Sequence, residues 1–270
     1  MQRSETQAQR DALLAVAHQL ADAAATETLS RFRDASLSVD DKSTGGGFDP
    51  VTEADCAAET AMRRILAELR PQDGILGEEY THKESESGIL WVLDPIDGTR
   101  AYMAGIPLWG TLIAISDAEG PIFGIIAHPF TGERYVGSGD FAELQHTGQA
   151  PRRIRTRPCK RLADATLLST FPEVGTAAER AAFAHLSAEC RLTRYGTDCY
   201  GYALLASGQV DLVVEAGLQP YDVQAPQAVI EAAGGVFTTW DGGSASEGGR
   251  ILAAGDPVIH RLAMDALNQA

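Results

Sequence analysis

The sequence predicts a mixed α+β / α/β fold in two halves, and three observations carry that prediction. Long amphipathic helical patterns open the chain, apolar or alternating runs of strand length fill its middle, and strand and helix signals then alternate to the end. The halves divide at the basic stretch near Pro151, giving residues 1–150 as an N-terminal α+β half and residues 151–270 as a C-terminal α/β half. A chain of 270 residues can bury a sizeable core as one large domain or two closely packed halves.

From about Glu5 to Phe32, Leu13, Val16, Ala17, Leu20 and Ala24 recur at helical spacing, which reads as an amphipathic packing helix. Asp40 to Pro50 is polar and carries Gly45-Gly46-Gly47, so it reads as a loop. Thr52 to Leu69 forms a second helix, stopped by Pro71. Asp55 lies in line with Met62, Leu66 and Leu69, so its carboxylate should point inward, and a buried acid needs a partner. Thr52-x-x-Asp55 also resembles a capping box, in which Asp55 would hold the first turn.

Ile75-Leu76 leads into Glu78, with Glu79 facing the other side of an extended segment. Leu90 to Leu93 reads as a short buried strand, and Asp94 to Thr99 as a turn that stops it. Pro95 fixes the corner, so Asp94 and Asp97 can face one cation. Gly98 lets a backbone N–H come close to a ligand, and Thr99 supplies a hydroxyl. Such residues also build ordinary turns that bind nothing. Their company favours a site: Asp55 and Glu78 lie upstream, and Asp222 lies downstream.

Trp109 to Ser116, Ile122 to Ala127 and Arg134 to Val136 follow as consecutive antiparallel strands. Arg152, Arg153, Arg155, Arg157, Lys160 and Arg161 then crowd an otherwise acidic chain and read as a solvated link between the halves. In the second half, strands are expected at Thr166 to Ser169, Arg191 to Thr193, Val210 to Glu215, Val236 to Trp240 and Ile251 to Ala254. Helices are expected over Ala177 to Ala188, Tyr200 to Ala206 and Asp222 to Ala233, with a closing helix to Asn268.

The net charge of −15 argues against nucleic acid or an anionic membrane surface as a partner. It also constrains any phosphate chemistry. A phosphate facing carboxylates is repelled by about 4 kcal/mol per charge pair at about 4 Å and an effective dielectric near 20, so bound divalent cations are required if the acids form the site. Cys56, Cys159, Cys190 and Cys199 show no C-x-x-C spacing and suit reduced structural thiols, and no run approaches a membrane span, so a cytoplasmic protein is expected. The six histidines lack zinc-helix spacing, and carboxylate ligands favour magnesium over zinc.

Four motifs are similar, in order and over nearly the whole chain, to those of the inositol monophosphatase-like, magnesium-dependent phosphatases. They are Val51-Thr52-x-x-Asp55, Gly77-Glu78-Glu79, Asp94-Pro95-Ile96-Asp97-Gly98-Thr99, and Tyr221-Asp222 with its helix and Ala233-Gly234-Gly235. Within that family, Arg194 to Tyr200 and Gly208 to Glu215 look most like the histidinol-phosphate phosphatase branch. The resemblance implies a layered α-β-α-β-α sugar-phosphatase architecture, a small phosphate ester as substrate, two or three Mg2+ ions and a homodimer. It implies Glu78, Asp94 and the Ile96 carbonyl as ligands of one ion, and Asp94, Asp97 and Asp222 as ligands of a second.

It further implies that Thr99, coupled to Asp55, takes part in water activation beside Glu78, and that the Gly98 and Thr99 N–H groups hold phosphate. Asp97 and Asp222 would also face the substrate. Lys42 falls where members carry a lysine near the metals. Asp198 stands where inositol-type members often carry a small residue, and Glu215 matches a substrate-facing acid. An added carboxylate at Asp198 favours a cationic leaving group such as histidinol, although a helix N-cap also explains an Asp there. Pro226, expected in a first helical turn, departs from the family pattern. The alternatives are an inositol-1-monophosphatase or broad sugar phosphatase and, from another class, a non-catalytic metal-dependent binding protein.

Overall fold

Two helices, α1 (Gln7–Arg31) and α2 (Glu53–Leu69), lie side by side and are joined through a two-stranded ladder of β1 (Val39–Asp41) and β2 (Pro50–Thr52). The computed structural model describes residues 7–41, 50–139 and 141–269; Glu5, Lys42 and the triple glycine lie outside the described residues. Leu13, Val16, Ala17, Leu20 and Ala24 are all buried, as their helical spacing demands. Leu69 departs from its expected inward face and is 46% exposed, because it ends the last turn.

The helices cover one face of a seven-stranded sheet that runs in chain order. Its strands are β3 (Gly74–Gly77), β4 (Leu90–Asp97), β5 (Gly110–Asp117), β6 (Gly120–His128), β7 (Glu133–Ser138), β8 (Phe141–His146) and β9 (Arg152–Arg153). Only β3 and β4 pair in parallel; the rest form an antiparallel meander. Alternation sorts the side chains. Trp91, Leu93, Ile113, Ile115, Ile125 and Val136 pack under α1 and α2, whereas Val92, Leu112, Ala114, Ile126 and Tyr135 face the opposite layer.

After the short α3 (Thr99–Met103), which follows β4, the remaining elements belong to the second half. They are β10 (Thr166–Ser169), α4 (Ala177–Glu189), β11 (Leu192–Tyr195), α5 (Asp198–Ala206), β12 (Leu212–Leu218), α6 (Pro220–Ala232), β13 (Val236–Thr239), β14 (Gly249–Ala254) and α7 (Pro257–Leu267). The sheet order is β11-β10-β12-β14-β13, parallel around β10 and antiparallel at β14. Val213, Ile251 and Ala253 face α5 and α6, while Leu212, Val214, Leu252 and Ala254 face α4 and α7. The result is the expected α-β-α-β-α layering.

The middle helical layer is pressed onto the first sheet at two glycine notches. A Cβ at Gly124 would stand 2.4 Å from the Ala225 carbonyl oxygen, and one at Gly137 would stand 2.4 Å from Val229 Cα. Both contacts fall on α6, so the helix that carries Asp222 is set by the sheet that carries Asp94.

Several sequence expectations need correction. Strand β4 does not stop at Leu93 but continues to Asp97, with its register to β5 shifted between Asp94 and Asp97. Strand β8 was not foreseen, and the basic link contributes β9 to the first sheet. Much of that basic cluster is consumed in ion pairs, Arg157 with Asp211, Lys160 with Asp256 and Arg161 with Asp164, because acids of the second half lie beside it. Helix α6 begins at Pro220, which puts Pro226 in its interior rather than its first turn. There Pro226 cannot donate the helical bond to the Asp222 carbonyl. No helix among the described residues is long and apolar enough to cross a membrane.

Candidate active site

Asp94 and Asp97 sit three positions apart on β4, a spacing that in a regular strand points them to opposite faces. The register shift between them removes that conflict. Asp94 pairs opposite Leu112 and Asp97 opposite Gly110, so the extra residue turns Asp97 toward the same side as Asp94. Asp222 approaches from the first turn of α6, where its Oδ2 accepts the Gln219 N–H at 2.7 Å. One oxygen from each of Asp94, Asp97 and Asp222 falls within 4.8 Å of the others.

A second long-range contact closes the group. Asp97 Oδ1 accepts the Cys199 backbone N–H at 3.0 Å. Helix α5 reaches this point because Gly110 has no side chain: a Cβ there would stand 2.7 Å from Cys199 Sγ. Asp198, just before, has φ 43° and is the first residue of α5, not its N-cap, which is Thr197.

These acids line a cavity of about 430 Å³ between the two sheets. Glu78, Asp94, Ile96, Asp97, Gly98, Thr99, Asp198, Glu215 and Asp222 all contribute to its wall. Asp55 does not line it. It lies buried at the start of α2, with Oδ2 accepting both the N–H of Thr52 at 2.9 Å and its hydroxyl at 2.5 Å. The capping box is therefore formed. The expected Asp55–Thr99 coupling is not, since the Thr99 hydroxyl donates to the Ile96 carbonyl at 3.1 Å. Asp55 Oδ1 remains buried without a partner.

The electrostatics describe a site short of positive charge. Burial, then Glu78 and Asp97, drives Asp94 well above the usual carboxylate range, and burial with Asp198 and Asp222 does the same to Asp97. Asp222 is pushed up to about 7 by burial, with Glu78 and Glu215 adding to it and the Gln219 N–H opposing. Burial also takes Asp198 to about 6, against the pull of Arg100, and Glu215 to about 7, against hydrogen bonds from Thr170 and Tyr202. Asp94 Oδ1 is buried with no hydrogen-bond partner. Converging oxygen donors, an orphaned carboxylate oxygen and mutual repulsion fit a hard divalent cation.

The comparisons with known proteins bear on the same residues. A model of the inositol monophosphatase family matches residues 9–270. The chain belongs to the inositol monophosphatase family. It is 36% identical over 267 residues to a histidinol-phosphatase of Streptomyces coelicolor, covering 95% of this chain and 97% of that protein. It is 38% identical over 268 residues to the chloroplastic bifunctional phosphatase IMPL2 of Arabidopsis thaliana, covering 95% of this chain and 75% of that one. The solved structure of an inositol monophosphatase from Zymomonas mobilis is 39% identical, with a TM-score of 0.83 over 98% of this chain and 100% of that one.

Family members are metal-dependent phosphatases, and the acid cluster is where this member could hold its metal. Two features of the cavity escaped the sequence. Arg100 lines the wall with its guanidinium 5.0 Å above the Phe171 ring, a partner supplied by the other half. Glu215 is held by the Thr170 N–H at 2.8 Å and by the Tyr202 hydroxyl at 3.1 Å. The only available signal for Arg100 was its place directly after Thr99.

Proposed function

We propose that this family member is a magnesium-dependent phosphate monoester hydrolase that prefers L-histidinol phosphate. The observation that carries the preference is the second acidic pair, Asp198 and Glu215, on the cavity wall beyond the Asp94–Asp97–Asp222 group. Phosphate needs cations among the acids, but cations do not account for two further carboxylates. A leaving group with an ammonium and a titratable imidazole does. The similarity to histidinol-phosphatases supports the same reading.

In this reading Glu78, Asp94, the Ile96 carbonyl, Asp97 and Asp222 hold two or three Mg2+ ions. Those ions supply a water nucleophile at neutral pH and charge neutralisation at phosphate and leaving oxygen. The protein's own groups do the rest. The Thr99 hydroxyl orients the attacking water, exchanging the Ile96 carbonyl for the unpartnered Asp55 Oδ1 when it does so; the Gly98 and Thr99 N–H groups hold phosphate oxygens, and Asp198 with Glu215 orients the leaving alcohol. All four cysteines are free thiols, which suits a cytoplasmic enzyme of histidine biosynthesis.

The test is phosphate release from L-histidinol phosphate and inositol 1-phosphate in parallel, each with Mg2+ and with a chelator. Mg2+-dependent turnover favouring histidinol phosphate is expected. Equal or reversed preference, the second reading favoured by the similarity to the Zymomonas enzyme, would reassign the substrate and keep the metal chemistry. No turnover of these or other phosphate esters would favour a metal-dependent binding protein.

A further inference from the structure

Glu59, on α2, is wholly buried, and its contacts converge on one short segment. Its Oε2 accepts the Glu79 N–H at 2.8 Å, and its Oε1 accepts Arg63 Nε at 2.7 Å. The carboxylate fills the space beside Gly77, where a Cβ would stand 2.1 Å from Oε1. Arg63 in turn donates to the Tyr80 carbonyl at 3.1 Å, and the Tyr80 hydroxyl donates to the Cys56 carbonyl at 3.3 Å. From the other side, the Glu78 N–H donates to the Leu93 carbonyl at 3.2 Å on the strand that carries Asp94.

Gly77 ends β3 and the chain bends over residues 78–80. With Gly77 and the Glu79 N–H both held against α2, the Glu78 side chain between them is left to line the cavity. A buried charge is a costly way to support a backbone unless its direction matters. We propose that Glu59 is a positioning residue that sets the cation affinity of the site through Glu78. The inference rests on Glu78 being a cation ligand.

The test is calorimetric Mg2+ binding to the metal-free, full-length protein without substrate, for wild type, Glu59→Ala, Glu59→Gln, Glu78→Gln and Asp211→Asn. Glu59→Ala is expected to weaken Mg2+ binding about tenfold or more, the effect of losing an outer-shell partner. Glu59→Gln keeps an acceptor for the Glu79 N–H and should recover part of that loss. KM for substrate at saturating Mg2+ should not move. Asp211, a buried acid paired with Arg157 beside the second sheet, controls for general destabilisation: Asp211→Asn should lower the melting temperature and leave Mg2+ affinity alone.

Should Glu59→Ala not fold, Gly77→Ala, which presses on the same carboxylate from the opposite side, carries the same expectation. Wild-type Mg2+ affinity in the folded Glu59 and Gly77 variants, with Glu78→Gln weakened, overturns the inference alone. Unchanged affinity in Glu78→Gln overturns the ligand assignment and the inference together.

Discussion

Gly98 and Asp198 meet with both backbones in the left-handed region, at φ 85° and 43°. A Cβ on Gly98 would stand 3.1 Å from both Cβ and Cγ of Asp198. Gly98 ends the β4 acid motif and Asp198 starts α5, so this contact sets how closely α5 approaches that motif across the cavity. Gly98→Ala should cost about 1–2 kcal/mol of stability from backbone strain and contact, and about a hundredfold in turnover from misplacement. Thermal melts alongside steady-state kinetics check both. Wild-type turnover in the variant would show that the contact does not set the site.

Asp198 is costly to the fold in two ways. A left-handed non-glycine backbone and a half-buried carboxylate both work against folding, and asparagine relieves each in part. Asp198→Asn is therefore expected to raise the melting temperature of the metal-free protein. It should also lower the kcat/KM ratio of histidinol phosphate to inositol phosphate by about tenfold, or about 1.4 kcal/mol. Direct competition of the two substrates measures that ratio. An unchanged ratio would remove Asp198 from leaving-group recognition.

Protons and cations compete for the acid cluster. Asp222 titrates at about 7 and Asp198 at about 6 in the metal-free fold, both raised from 3.8. The folded metal-free state therefore binds protons that the unfolded chain has released. Stability from these groups is full below about pH 4 and is lost as pH rises through about 6 to 7. Cation binding expels the same protons, so affinity should climb with pH up to about 7, by about tenfold per unit for each proton released. Melting curves from pH 5 to 8 should show the chelated protein losing stability and the Mg2+-loaded protein pulling away from it. Parallel curves would mean that the cluster does not bind the ion.

Thr52 and Asp55 can be separated. Thr52→Ala removes a helix cap, worth about 1 kcal/mol, and should leave turnover near wild type. Asp55→Asn keeps an acceptor for the Thr52 N–H but alters the buried Oδ1 that has no partner in the fold. It should cost turnover with little loss of stability. Circular dichroism melts with single-substrate kinetics decide it, and equal activity in both variants would make Asp55 a cap and nothing more.

Much of this was readable from residues alone because it depends on local spacing. The burial of Leu13, Val16, Ala17 and Leu20 followed from a period that any helix enforces. The three-strand meander of β5, β6 and β7 followed from alternation broken by turn residues. The early stop expected of β4 fails for an equally local reason. Asp94-Pro95 signals a turn, yet it lies in a continuing strand at a register shift, because pairing with β5 outweighs turn chemistry; Asp97-Gly98 does end the strand, with Gly98 left-handed ahead of α3. The basic stretch is exposed as read except at Arg157, whose partner Asp211 lies far along the chain, whereas Arg161 pairs with Asp164 only three residues on.

The sequence by itself determined the family, the layered class and the inventory of acids, since each is written in contiguous motifs or in periodicity. Tertiary structure alone decided how those acids meet. The shifted register turns Asp97 to the side of Asp94, glycine notches seat α6 and hence Asp222 on the first sheet, and Glu59 holds the segment that aims Glu78. Residues 59, 77 and 79, or 97 and 199, have no spacing that announces a contact. Their proximity comes from the packing of whole layers, which burial of distant apolar faces drives and no local pattern encodes.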